Sequence, residues 1–310
     1  MPEWITERGI GEIRYALVES GEILEARIVL DGATRAGSVI AARLKQSAGP
    51  TIAIAGGTEY LLPRGAPGVT EGAALNIEVT REAIPGSEPW KRPLARVTSE
   101  PLGDAPSLEA RPAGREELGA AGWDELTDHA RTGIVQFAGG ELRIVPTPAM
   151  TLIDVDGYLQ PEELARRGAA EAAKAIRRLD VGGSMGIDLP TTGSKTARQA
   201  AAAAIDEHLP QPLERTAVNG FGFVQIVRPR LRASLVELAQ DRAAFEARAL
   251  LRRAAFEPAG AKRLAAHPAV IAMLDAKPDW LDALARQLGS AISLRADASL
   301  AMSGGYAENP

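Results

Sequence analysis

Two short apolar runs in this 310-residue chain each end in an aspartate. One is TLIDVDG at 151–157, which carries Asp154 and, two residues on, Asp156. The other is GGSMGIDLP at 182–190, which carries Asp188. A third run, NGFGFVQIVRPR at 219–230, ends in Arg228 and Arg230. Short apolar runs bounded by Gly and Pro read as strands of a covered sheet. A residue at the end of such a strand lies at the sheet edge, where loops and ligands meet. If the runs are neighbours, Asp154, Asp156 and Asp188 converge. Crowded carboxylates repel one another, and a hard cation such as Mg2+ relieves that repulsion. The plainer alternative is that an Asp after a strand forms a turn or caps a helix. Spacing alone leaves both open.

The elements that must position these side chains follow from the patterns around them. Residues 161–179 read as a helix. Pro161 suits the first helical position, Glu162 and Glu163 complement the positive helix start, and Leu164, Ala172, Ile176 and Leu179 share a face. Residues 194–207 read as an alanine-rich helix capped by Ser194. Strand–helix–strand–helix–strand argues for a layered α/β unit. Ahead of it, residues 12–30 alternate apolar and polar on both sides of Ser20-Gly21, which predicts a hairpin over 1–36. Residues 37–98 hold five short strand-like runs separated by Gly and Pro. They suggest a small closed barrel of the OB type, with a meander in a larger sheet as the alternative. Residues 99–128 are rich in Pro, Gly, Ala and Glu and read as a linker, apart from a helical turn beginning at Trp123. Residues 133–147 read as a hairpin about Gly139-Gly140. From 241 to 310 the pattern is mainly helical, with one strand at 291–297 and a loose tail.

Composition narrows the class. Hydrophobic content of 45% and charged content of 24% are ordinary for a soluble globular protein. No apolar run reaches the length of a membrane span, and the opening MPEWITERG lacks a signal peptide's apolar core, so a cytoplasmic protein is expected. There is no cysteine, which excludes disulfides, thiolate zinc sites and a cysteine nucleophile. Net charge is −5, and the acidity is concentrated in residues 1–150, with 15 Lys+Arg against 21 Asp+Glu. A polyanion could therefore bind only through a local patch. The three histidines, His129, His208 and His267, are scattered and suit structural or exposed roles.

The chain resembles the ribonuclease E/G family of endoribonucleases, most strongly over residues 131–235. The resemblance is carried by the opening hairpin EIRYALVESGEILEARIV, by GSVIAARL, by IDVD at 153–156, and by the ordered pattern RLDVGGSMGID at 178–188. It implies an S1 (OB-fold) RNA-binding barrel over 37–98 and a DNase I-like nuclease domain over 129–240. A small C-terminal domain would follow over 241–310. It further implies that Asp154 and Asp188 hold a catalytic Mg2+, that Arg228 and Arg230 contact the scissile phosphate, and that products carry 5′-phosphate. Asp156 stands where the family has a water-orienting asparagine. The stretch 99–128 is too short for the family's 5′-phosphate sensor and RNase H-like insert. The zinc-binding Cys-Pro-x-Cys link is missing, which removes zinc and the zinc-linked tetramer and leaves monomer or homodimer.

Together these features predict a mixed α/β protein that hydrolyses single-stranded RNA with Mg2+. Asp154, Asp156, Asp188, Arg228, Arg230 and Lys195 would form the site. Tyr60 and Trp90, with Lys91 and Arg92 beside the latter, are the candidates for RNA contact on the barrel. Arg166, Arg167, Lys174, Arg177 and Arg178 form either a solvated helix face or part of an RNA track. The alternative is a non-catalytic RNA-binding protein that keeps the fold.

Overall fold

The computed structural model describes residues 1–85 and 91–310 and shows a mixed α/β protein. Strands β1 (Glu3–Arg8), β2 (Glu12–Glu19) and β3 (Glu22–Leu30) pair antiparallel. Ser20 and Gly21 turn the predicted hairpin with positive φ at both positions, 53° and 83°, which matches the twist of the flanking strands. Strands β4 (Val39–Gln46), β5 (Ile52–Ala55), β6 (Thr58–Leu61), β7 (Ala74–Arg81) and β8 (Leu94–Thr98) close into a barrel in the order β4-β5-β6-β8-β7. The closed barrel is compatible with the OB type, and the meander alternative falls. Alternate side chains such as Leu44, Ala53, Ile77 and Val79 fill its interior.

Residues 99–128 do more than link. Strand β9 (Arg111–Pro112) joins β1 in parallel and extends the first sheet to β3-β2-β1-β9. Helices α1 (Glu117–Ala120) and α2 (Trp123–Thr132) bury Leu118, Trp123 and Leu126 in the main core. The helical stretch expected over 123–130 is a ten-residue helix that runs two residues further, to Thr132.

A second sheet follows, in the order β10-β11-β12-β13-β15-β14. It is built from β10 (Ile134–Phe137), β11 (Gly140–Pro146), β12 (Thr151–Gly157), α3 (Pro161–Arg178), β13 (Gly183–Asp188), α4 (Lys195–His208), β14 (Glu214–Arg215) and β15 (Phe223–Arg228). Helix α3 touches β3 on one side and β11 and β12 on the other. It is therefore buried on two faces rather than the one face the pattern suggested, and its alanines are what let both sheets approach. A Cβ on Gly168 would lie 2.2 Å from Val155 Cγ1. On the helix side of the second sheet Leu142, Ile144, Ile153, Val155, Met185, Ile187, Val224 and Ile226 are buried. Alternation puts the intervening residues on the opposite face, where Val145, Leu152 and Val227 are exposed.

After α5 (Leu235–Leu238), helix α6 (Arg242–Ala255), β16 (Lys262–Ala266), α7 (Pro268–Asp275), α8 (Pro278–Leu288), β17 (Ile292–Ala296) and β18 (Tyr306–Glu308) surround a second hydrophobic cluster. The tail read as loose instead supplies β18, which pairs antiparallel with β16. Buried ion pairs tie α6 to the first sheet. Glu12 accepts from Arg14 at 2.6 Å and from Arg248 at 2.8 Å, and Glu7 accepts from Arg14 at 2.6 Å and Arg252 at 2.9 Å. Shared partners are what make so much buried charge tolerable. Among the described residues no helix is long and apolar enough to cross a membrane.

A paired-carboxylate edge on an open sheet face

β12 and β13 are parallel neighbours, with Asp154 directly opposite Asp188. Residues opposite one another share a face, and strands lie about 4.8 Å apart. The two carboxylates therefore stand side by side on the open face, both exposed. On the far side of Asp154 the register places Arg143, whose guanidinium is engaged by Glu141 at 2.5 Å. The convergence of three aspartates is not realised. Asp156 lies one pleat further along β12, opposite Glu141, and its Oδ1 accepts the N–H of Gly157 at 2.8 Å. Among the described residues no group of three or more His, Asp or Glu is placed to hold a metal ion. A pair still fits Mg2+, which keeps several waters and commonly takes only one or two carboxylates along with substrate phosphate.

Glycine shapes the floor of this edge. Gly186 shares the face of Asp188, and a Cβ on it would come within 2.4 Å of the Phe223 ring, so the bare backbone lets that ring lie across β13. Gly222, at φ +93°, brings its loop so close to Leu189 that a Cβ would be 2.1 Å from the Leu189 carbonyl oxygen. Asn219 Oδ1 fixes the same loop by accepting from the N–H groups of Phe221 at 2.9 Å and Phe223 at 3.0 Å.

Sequence patterns missed two aromatic residues here. Phe221 is 81% exposed and Tyr158 is 86% exposed. Phe221 lies two residues before Phe223, the partner of Asp188, and Tyr158 follows directly after β12. Phe221 thus lies near the Asp188 end of the sheet, whereas Tyr158 follows Asp154 by four residues, about 13 Å along the strand direction. Their backbones are held, since Tyr158 N–H donates to Gly139 at 3.1 Å and Thr191 Oγ1 donates to the Phe221 carbonyl at 3.0 Å. A large apolar ring kept in solvent on a fixed backbone was the available signal, but exposure is invisible in a one-dimensional pattern. Lys195 is exposed at the start of α4, which leaves from the same edge; Ser194 caps that helix, its Oγ accepting from Ala197 N–H at 3.1 Å.

The arginine pair does not belong to this edge. β15 runs antiparallel to β13, so Phe223 faces Asp188 while Arg228 faces Gly183. Five residues of strand separate them, about 17 Å. Arg228 also alternates onto the helix side, with buried Val224 and Ile226, and donates to the Val181 carbonyl at 3.3 Å. Burial lowers its pKa from the ordinary guanidinium value, offset by Asp180 and Glu25. Arg230 lies beyond the strand and is ion-paired with Glu237, the residue that closes the capping box of α5 with Ser234.

The barrel candidates also change. Tyr60 is 3% exposed and belongs to the barrel core. Trp90 lies outside the described residues. Arg92 donates to Glu59 at 2.6 Å, and Lys91 borders a small cleft with Arg230. Hydrogen bonds from Lys45 and Arg92 lower the pKa of Glu59. On α3, Arg166 and Arg167 pair with Glu163, Lys174 with Glu171 and Arg177 with Glu25, so these cations are largely matched. His129 contacts Arg178 at 3.2 Å, and His267 caps α7 by accepting from Ala269 N–H at 3.2 Å, as structural histidines do. No family model matches the chain, and no curated protein matches it.

Proposed function

We propose that this chain is a Mg2+-dependent endoribonuclease of the ribonuclease E/G type. It would act on single-stranded RNA, with residues 129–240 as a DNase I-like nuclease domain, 37–98 as an S1-type RNA-binding barrel and 241–310 as a small C-terminal domain. The observation that carries the proposal is the side-by-side register of Asp154 and Asp188 on an open sheet face. Asp154 and Asp188 would hold the ion. When bound, Mg2+ supplies an activated water and neutralises charge developing on the phosphate. Tyr158 and Phe221 offer flat apolar surfaces on which unpaired bases stack, which orients the phosphate between them and favours single strands over duplex. Lys195 supplies a mobile positive charge at the same edge. Asp156, bonded to Gly157 N–H, fixes the turn that presents Tyr158.

The test is cleavage of a single-stranded RNA with and without Mg2+, by the wild type and by Asp154→Asn and Asp188→Asn. Both variants should fold normally and lose several orders of magnitude in rate, because a lost metal ligand disables the step rather than the scaffold. Wild-type rates in both would remove the site assignment. A second reading, a non-catalytic RNA-binding protein, is favoured by the distance of Arg228 from the carboxylates. It predicts Mg2+-independent binding of the same RNA with no cleavage by the wild type.

A further inference from the structure

A cleft of about 500 Å³ opens far from the carboxylate edge, between the first sheet and the C-terminal elements. Its walls come from the end of β1, the segment after β9, and the C-terminal ends of α6 and α8. The volume suits a ligand of mononucleotide size. Four arginines line it: Arg8, Arg14, Arg115 and Arg252. Arg14 and Arg252 are committed to Glu7, Glu12 and Asp124. Arg8 and Arg115 are exposed and have no carboxylate partner among the described residues. Glu257, the other acid in the lining, faces Lys262 at 3.5 Å.

Two helices end here, and free carbonyls at a helix C-terminus would repel an anion. Those carbonyls are partly occupied. Arg115 donates to the Phe256 carbonyl at 3.0 Å, and Gly260 N–H donates to that of Leu288 at 2.9 Å. Arg115 and Arg252 also lie over the Phe256 ring, 5.8 Å and 5.2 Å from its centre. The Arg115 guanidinium is thereby held at the cleft before any ligand arrives. Ile10, Ala255 and the Phe256 ring, all half-buried, supply an apolar wall for the body of the ligand; Leu251 and Leu288 are themselves buried.

We propose that this cleft binds a small phosphate monoester of mononucleotide size, its phosphate held by Arg8 and Arg115 and its body against the apolar wall. Guanidinium groups suit a phosphate because their planar donors match its oxygens in pairs. The site is independent of the carboxylate edge and of any nuclease activity.

The experiment is calorimetric titration of the full-length protein with AMP and with adenosine. AMP should bind and adenosine should not. Arg8→Ala and Arg115→Ala should each weaken AMP roughly tenfold or more, the effect of one lost charge-assisted hydrogen bond. Both residues are exposed and outside the buried ion-pair network, so circular dichroism should be unchanged. Ala259→Trp, in the exposed loop lining the cleft, keeps every charge and should block AMP by filling the space. Equal binding of AMP and adenosine, or wild-type AMP affinity in all three variants, would overturn the proposal. Competition by a short RNA separates the sources of the phosphate. Displacement of AMP by a 5′-phosphorylated but not a 5′-hydroxyl oligonucleotide supports a monoester at a chain end, and displacement by neither supports a free nucleotide. Displacement by both means a backbone contact and overturns the monoester site.

Discussion

Replacing Asp188 by Asn should make the metal-free protein more stable and the Mg2+-loaded protein less stable than the wild type. Asp154 and Asp188 occupy the same rung of β12 and β13, and the spacing of neighbouring strands sets their charges about 5 Å apart. Two unit charges at that distance in water repel by about 0.8 kcal/mol. Both side chains are exposed, so salt at 0.15 M reduces this to roughly 0.5 kcal/mol. Asn has nearly the volume of Asp, and the face is open, so packing adds little. Arg143 lies two strands from Asp188, about 10 Å away, and is engaged by Glu141, so its attraction for Asp188 is largely screened and smaller than the repulsion lost. In EDTA, Asp188→Asn should therefore be ahead by roughly 0.5 kcal/mol. Mg2+ at ten times its Kd stabilises the native wild type by about 1.4 kcal/mol and should do little for the variant, so the order reverses. Urea unfolding followed by tryptophan fluorescence reads this directly, because Trp123 is buried in the core that the second sheet shares. Each arm is run at matched ionic strength. If Asp188→Asn is the less stable protein in EDTA, or if Mg2+ shifts both proteins equally, the paired-carboxylate site is wrong.

Other outcomes follow from the same contacts. Glu12→Gln leaves buried Arg14 and Arg248 short of charge and should cost about 3–5 kcal/mol in urea unfolding. Arg14→Met should cost less, because Glu7 and Glu12 each keep a second arginine; the reverse order would refute the shared-partner account. Gly168→Ala should destabilise by about 1–3 kcal/mol, since its Cβ meets Val155, and a neutral result would mean that α3 is not pressed against β12. Lysine at both 228 and 230 should leave single-turnover cleavage near wild type at saturating RNA. A tenfold fall would return the arginines to the reacting phosphate. Burial and then Arg178 lower the pKa of His129 from 6.5. The unfolded chain then binds a proton that the folded protein resists, so stability should fall as pH drops below 6.5. His129→Gln should flatten that slope in urea midpoints taken at several pH values.

Local chemistry made much of this protein legible in advance. Ser20-Gly21 turns its hairpin because both positions need positive φ. Pro161 and Ser194 start α3 and α4 because each satisfies or avoids an orphan donor at a helix start. Five short runs between glycines and prolines close into a barrel because no longer element fits between the breaks. Asp154 and Asp188 meet because their runs are adjacent parallel strands, but only Asp188 ends its strand; β12 continues to Gly157 and leaves Asp154 in mid-strand.

What the sequence left open depended on direction, register and exposure. Strand β15 reads the same whichever way it is inserted, and its antiparallel insertion is what carries Arg228 about 17 Å from Asp188. Asp154 and Asp156 share a face by period two, but only the ladder shows that Asp188 stands opposite the first and that Glu141 stands opposite the second. Tyr60 and Phe221 are both aromatics within apolar runs. One points into a closed barrel and the other into solvent, because the interior of a barrel and the edge of a sheet are defined by distant segments. The strands β9 and β18 are too short to carry a period of their own and exist only through β1 and β16, which offer them an edge. Residue type set which groups could do chemistry; the order and direction of the strands decided which of them meet.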